Sequence, residues 1–404
     1  VYARNRRATI FIPQRYQNGN LFPIGIPQIS LHLAKSCRRI GGTYDRKLLV
    51  YTNNSLRDWA CLNKMTIVTL KDIAQAVGVS VMTVSKVLRG FPDVGEKTRA
   101  RVLAKAKELN YRPNLTARGL VTGRSNQVGI IVPTLLHPFF AEVLEALSST
   151  FKDGGYALMI SSSMEDAAIE EETIEQHLSH RMDGLIVASC SSSPAKFQQL
   201  KDQKIPFVLI DRFFPGFGAN FVGVDDVAVG RIATEHLIAM GCKRIAHIRG
   251  LEFTTGLGRF EGYKLALKQH GIPFDPALVT PYVTADGRDW QQSYQAMRSL
   301  LSVKRPDGVF CYNDPIAVAA MDVAFEAGWR IPRDIAFVGC DNLQYGASLR
   351  APLTSVDHHS SLIGVRAAKI LLKLLKEGTS PRDRQVLLQP SLVVRESSLW
   401  HKKR

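Results

Sequence analysis

Val128-Gly129-Ile130-Ile131-Val132 is a short, continuous run rich in β-branched residues, closed by Pro133, and residues 139–151 follow it with apolar side chains at helical spacing. The strand-then-helix pair returns along the chain: residues 157–161 then 169–180, 184–188 then 196–201, 207–211, 245–248 then 259–270, 308–311 then 315–327, and 335–339. Wholly apolar strands alternating with amphipathic helices predict parallel sheets covered on both faces. The 278 residues from 127 onward are too many for one comfortable sheet of this kind, so two α/β lobes are expected. Ligands of open parallel sheets bind beyond the carboxyl ends of the strands, which makes the residues just after each strand the candidates for a site.

Working toward the N-terminus, the charge changes. The 404-residue chain carries a formal charge of +16, of which residues 1–64 hold +9, residues 65–126 hold +7 and the remainder none. A neutral body with a compact basic module at one end fits nucleic-acid binding better than general basicity does. With 45% hydrophobic and 22% charged residues, a mostly disordered or collagen-like protein is excluded. Cys37, Cys61, Cys190, Cys242, Cys311 and Cys340 are scattered, with no C-x-x-C, so neither a metal site nor a disulfide scaffold is indicated and reduced thiols in a cytoplasm are expected. No run approaches the length of a membrane span. Residues 1–64 alternate basic clusters with Pro/Gly stretches without a sustained period; they read as upstream sequence translated from a misplaced start, with a disordered basic arm as the alternative.

Residues 65–112 read as a small all-α module of three short helices. Ile73, Ala74 and Val77 share one face, Gly78 permits a tight turn, and Ser80 is placed to cap a second helix over residues 80–88. That helix turns Val84, Val87 and Leu88 inward and leaves Val81, Met82, Ser85 and Lys86 on other faces, the arrangement a helix-turn-helix needs for entering a major groove. The residues Thr69-Leu70-Lys71-Asp72-Ile73-Ala74, Gly78-Val79-Ser80, Thr83-Val84-Ser85-Lys86-Val87-Leu88, Thr98-Arg99 and Leu109-Asn110-Tyr111-Arg112-Pro113-Asn114 together resemble the headpiece of the lactose-repressor (LacI/GalR) family of bacterial regulators. The resemblance implies that Val81, Met82 and Lys86 read bases, with Thr69, Ser80, Thr83, Ser85, Asn110 and Tyr111 also at the DNA. Gly95 stands where many members cap the third helix with Ser. Residues 113–126 then resemble the family's hinge, in which Asn114, Ala117 and Arg118 accompany Leu120 as the wedge pushed into the minor groove. Gly119 is less helix-favouring than the polar residue common there, by about 1 kcal/mol.

The resemblance extends over about residues 67–398. It implies a two-lobed, periplasmic-binding-protein-like effector body crossed three times by the chain, with lobes at about 127–226 plus 358–385 and 227–357 plus 386–400. His137-Pro138-Phe139-Phe140, Leu209-Ile210-Asp211-Arg212, Gly250 through Arg259 (with Thr255), Asn313-Asp314 and Gly339-Cys340-Asp341-Asn342 look like the ligand-facing loops of that family and of the related periplasmic sugar-binding proteins, and all follow predicted strands. As a set they suit a monosaccharide: Asp211 and Asp341 accept from hydroxyls, Arg212 and Arg259 donate in forks, Asn313 does both, and Phe139, Phe140 and Trp290 stack on C–H faces. His137 and His358 stand where the ribose-binding protein has Asn and Gln. Phe253 and Thr254 lie where purine-responsive members have Arg and Asn, which favours release of DNA by a sugar over a purine corepressor.

The expectation is therefore a cytoplasmic homodimeric repressor of carbohydrate-utilisation genes, bound to a pseudo-palindromic double-stranded operator and switched by a sugar-like effector, without cofactor or metal. A periplasmic-type sugar-binding protein and a corepressor-dependent regulator of other metabolism are the alternatives. Residues 256–261 superficially match a dinucleotide fingerprint, but Glu261 occupies the third glycine position, and no hydrolase, metalloprotease or Walker motif occurs, so no enzyme is expected.

Overall fold

In a computed structural model of the chain, residues 68–112, 123–281, 290–303, 305–378 and 383–399 are described. They form two compact units, divided after Arg112. The first consists of α1 (Leu70–Val77), α2 (Val81–Leu88) and α3 (Glu96–Glu108). Thr69 and Asp72 form a capping box that starts α1, and Gly78 ends it at φ 71°, a left-handed position that only glycine adopts at little cost. The Ser80 hydroxyl accepts from the Thr83 N–H at 3.0 Å and opens α2. Gly95 precedes α3 with no side-chain cap. Ile73, Ala74, Val77, Val84, Val87, Val102 and Ala106 make the small core, and Arg101 donates to the Val77 carbonyl at 2.6 Å, tying α3 to the end of α1.

The second unit contains two sheets. Its elements run β1 (Gln127–Val132), α4 (Pro138–Asp153), β2 (Ala157–Ser162), α5 (Ala167–Ser179), β3 (Gly184–Val187), α6 (Ala195–Asp202), β4 (Phe207–Ile210) and β5 (Phe221–Val224). They continue with α7 (Asp226–Ala239), β6 (Ile245–Ile248), α8 (Thr254–Gln269), α9 (Trp290–Val303), β7 (Gly308–Cys311), α10 (Asp314–Glu326), β8 (Ala336–Cys340), β9 (Thr354–Asp357), α11 (Ser360–Glu377), β10 (Gln385–Leu388) and β11 (Ser391–Val393). The first sheet has the order β10-β5-β4-β3-β1-β2 and the second β11-β9-β8-β7-β6, so the described chain passes between sheets three times.

Two features depart from expectation. β11 pairs antiparallel with β9, so the second sheet is mixed at that edge. β10 stays in the first sheet to Leu388, so the last crossing falls after 388 and not at 385. Both strands are short and half exposed, without the apolar run that marks the central strands. Those central strands are buried on both faces. Val128, Ile130, Val143, Leu147 and Leu371 form one side of the first sheet and Ile131, Ile174, Leu185 and Phe197 the other. In the second sheet Val229, Leu237, Tyr263 and Leu267 lie on one side and Met297, Ile316, Ala320 and Phe337 on the other.

Candidate functional site

The loops after the parallel strands of both sheets meet in a narrow cleft lined by Thr134, His137, Phe139, Phe140, Glu165, Asp211, Arg212, Arg259, Tyr312, Asn313, Asp341 and His358. Nine of the eleven residues expected from the sequence line this cleft. Thr255 is buried one layer behind, its hydroxyl 2.9 Å from Tyr312 Oη. The side chain of Trp290 lies outside the described residues. The sequence reading missed Thr134, Glu165 and Tyr312, although Glu165 follows β2 closely and Tyr312 immediately follows β7, where a site is expected.

Several lining groups are held by backbone that resists relaxation. Asp211 has φ 63°, Asp341 φ 110° and Glu165 φ 59°, conformations that cost a non-glycine residue about 1–3 kcal/mol each and that concentrate at functional sites. His137 caps α4, and its Nε2 lies 3.0 Å from Asn313 Nδ2, joining a residue that follows the first sheet to one that follows the second. Asn313 Oδ1 is engaged as the N-cap of α10, accepting from the Ile316 N–H. Phe139 and Phe140 meet edge to face at 5.1 Å, and Phe139 lies 5.9 Å from the His358 ring, giving an apolar wall for a C–H face.

The arginines correct the expectation that both present free forks to a ligand. Arg212 donates through Nη1 and Nη2 to the two carboxylate oxygens of Glu165, at 2.9 and 2.8 Å, while Phe253 covers one face of the guanidinium at 4.0 Å. Burial alone would lower the pKa of Arg212; the Glu165 bonds outweigh it and hold the group charged. Arg259 donates through Nε to Asp226 at 2.9 Å and through Nη1 to the Tyr312 carbonyl at 2.7 Å. Burial pushes the Asp226 carboxyl up to about 7, against the opposing pull of Arg259. A buried cation needs such a partner, and a residue list read from the sequence could not say which carboxylate would supply it.

Asp341 is the acceptor left open. Its Oδ1 lies 3.3 Å from His358 Nδ1, and its Oδ2 is buried with no hydrogen-bond partner. Burial raises the Asp341 carboxyl well above the ordinary range and drives His358 well below its own. Cys340, Asp341 and His358 have the donor types for a metal, their atoms lying within 4.8 Å of one another. Both His358 nitrogens already have partners, with Nε2 2.6 Å from Cys340 Sγ, so a neutral chain from the Cys340 thiol through the imidazole to Asp341 accounts for the group.

In the three-helix unit, Val81 and Met82 in the first turn of α2 are 44% and 62% exposed, apolar groups on a surface with no core of its own to cover them. Thr69, Ser80 and Asn110 are exposed, while Thr83, Ser85, Lys86 and Tyr111 are half-buried. The Lys86 ammonium is paired with Asp93. The expected hinge residues Asn114, Ala117, Arg118 and Leu120 lie outside the described residues. Among the described residues no helix is long and apolar enough to cross a membrane.

Comparison with known proteins bears on both units. The profile of the bacterial regulatory proteins of the lacI family matches residues 69–114, and that of a periplasmic binding protein-like domain matches residues 234–398. The HTH-type transcriptional repressor PurR of Haemophilus influenzae (strain PittEE) is 31% identical over 337 residues, covering 81% of this chain and 98% of that one. Among solved structures, the lac repressor dimer bound to operator and the anti-inducer ONPF matches with a TM-score of 0.71 at 26% identity, covering 82% of this chain and 99% of that one. A transcriptional regulator CelR–cellobiose complex matches with a TM-score of 0.62 at 29% identity over the same shares. The three-helix unit, the two-sheet body and a relative aligned along nearly its whole length agree: this chain belongs to the lacI family of bacterial regulatory proteins, DNA-binding transcription regulators switched by an effector.

Proposed function

We propose that the protein is a homodimeric repressor of carbohydrate-utilisation genes, and that an uncomplexed sugar entering the cleft releases it from a pseudo-palindromic operator. The observation that carries the sugar reading is the buried Asp341 Oδ2, which has no hydrogen-bond partner and shares the cleft with the aromatic rings of Phe139 and Phe140. An acceptor buried without a donor costs free energy that a ligand hydroxyl recovers. Because ligand can shift DNA affinity only through unequal binding to two arrangements of the body, the groups that join the sheets, His137 and Asn313, are where the sugar competes. The relative solved with cellobiose supports a saccharide ligand, and the relative solved as a dimer on operator supports two headpieces on two half-sites.

Selection of bound sequences from random DNA, followed by anisotropy titration of the selected site with a panel of sugars, tests this reading. Release by at least one sugar is expected, and a protein whose operator affinity no sugar changes would overturn it. Asp341→Asn should weaken the response by about 1–3 kcal/mol, the cost of a buried polar group left without its partner, with operator affinity in the absence of sugar unchanged.

The DNA side carries its own expected result. Lys86→Ala removes a half-exposed ammonium from the α2 face and should cost about 1–3 kcal/mol of specific binding while relaxing preference at one base pair. Its partner Asp93 is exposed, so headpiece stability should barely move. An unchanged ratio of operator to random-DNA affinity would remove Lys86 from base reading.

A further inference from the structure

The cleft contains two guanidinium groups, and each is already paired with a carboxyl group. Arg212 is forked onto Glu165, has Asp211 3.5 Å from its Nε and has Phe253 against one face. Arg259 is held by Asp226 and the Tyr312 carbonyl, and its guanidinium lies 4.3 Å over the Tyr312 ring. Asp341 adds a further carboxyl with no cation hydrogen-bonded to it. The neutral imidazole of His358, held neutral by burial, offers no positive charge either. Carboxyl groups therefore outnumber fixed cations around the space a ligand would fill.

We propose that Glu165 sets the chemical class of the effector: by occupying the guanidinium fork of Arg212 it makes this a site for uncharged polyhydroxyl compounds and closes it to carboxylated or phosphorylated sugars. The inference rests on the reading of the cleft as a sugar site. A carboxylate or phosphate that reached Arg212 would have to displace a bidentate partner and leave the Glu165 charge uncompensated in a mostly buried position. A neutral hydroxyl meets no such obstacle, since it donates to Asp341 Oδ2 and accepts from the Asn313 amide without disturbing either ion pair. Glu165 is fitted to this role by its place as well as its charge. It is carried on the turn after β2 at φ 59°, directly preceded by Met164 at φ 55°, so two consecutive left-handed residues aim the carboxylate back over the carboxyl end of β4.

Two titrations of the full chain test the proposal. The first uses inorganic phosphate with the wild type, Glu165→Gln and Glu165→Ala. Release of the Arg212 fork should tighten phosphate binding at least tenfold in either variant relative to the wild type, and basic residues elsewhere in the chain cancel in the comparison. Glu165→Ala keeps the test alive should the amide of Glu165→Gln occupy the fork in place of the carboxylate. The second uses matched sets: glucose, gluconate and glucose 6-phosphate, then ribose, ribonate and ribose 5-phosphate. The wild type should prefer the uncharged member of any set it binds by at least tenfold, and Glu165→Ala should narrow or reverse that preference. Phosphate affinity equal in wild type and variants, or a wild type that prefers a charged member, overturns the proposal. A wild type that binds no member of any set counts against the sugar reading itself, while the phosphate titration still decides the role of Glu165.

Discussion

Arg259→Ala should destabilise the body by about 3–5 kcal/mol, the cost of removing one partner from a buried ion pair. Both members are nearly inaccessible, at 3% and 9% side-chain exposure for Arg259 and Asp226. Deletion of the guanidinium leaves the Asp226 carboxylate and the Tyr312 carbonyl without their donors at once. Asp226 already sits at about 7 with the arginine present, so without it the carboxyl must take up a proton or remain charged in an apolar site. Urea unfolding of the variant is the measurement, with the double variant Asp226→Asn/Arg259→Met as the comparison. The double variant should regain more than half of the loss, because a neutral pair of similar volume carries no stranded charge. A single-variant loss below about 1 kcal/mol would show that water reaches the pair. For the effector switch this means that a lost sugar response in Arg259→Ala reports a damaged scaffold as much as a lost contact, which is why Asp341→Asn is the sharper probe of ligand binding.

The outcome at Arg259 illustrates what the sequence could and could not disclose. Strands such as Gly184–Val187 and Gly308–Cys311 are legible because burial on both faces demands uninterrupted apolar residues, and that demand is local. The family resemblance then brings out His137, Asp211, Asn313 and Asp341, all of which follow such strands, where ligands of open parallel sheets sit. Pairing is not local. Glu165 lies 47 residues from Arg212, and Asp226 lies 33 from Arg259, so which carboxylate quenches which cation depends on how loops converge in space. The edge strands β10 and β11 were hidden for a related reason, since Gln385–Leu388 and Ser391–Val393 are specified by the strands they join and carry little apolar pattern of their own. In the headpiece the start of the second helix was legible, because the Ser80 cap on Thr83 acts over three residues.

Gly230→Ala should destabilise the same lobe by about 3 kcal/mol, at the upper end of what overpacking a close interface costs. Helices α7 and α8 touch backbone to backbone. A methyl on Gly230 would overlap the Arg259 carbonyl oxygen and come within 2.9 Å of its Cα, while one on Gly262 would overlap the Val227 carbonyl oxygen and lie 2.7 Å from the Arg231 nitrogen. Backbone atoms cannot swing aside as a side-chain tip does, so the two helices must separate. On one side of that contact stands Asp226, in the first turn of α7, and on the other Arg259, in the second turn of α8. Close approach is thus what allows the 2.9 Å bond between them. Separation by even an ångström weakens the pair while leaving both charges buried, so the loss in Gly230→Ala should exceed that of an overpacked apolar contact. Gly95→Ala, where nothing lies within 4 Å of the added methyl, is the matched control, and as an exchange at an N-cap that Gly tolerates better than Ala it should cost about 1 kcal/mol or less. Equal urea midpoints for Gly230→Ala and the wild type would mean that the helices slide apart freely, and that the ion pair depends on something other than their contact.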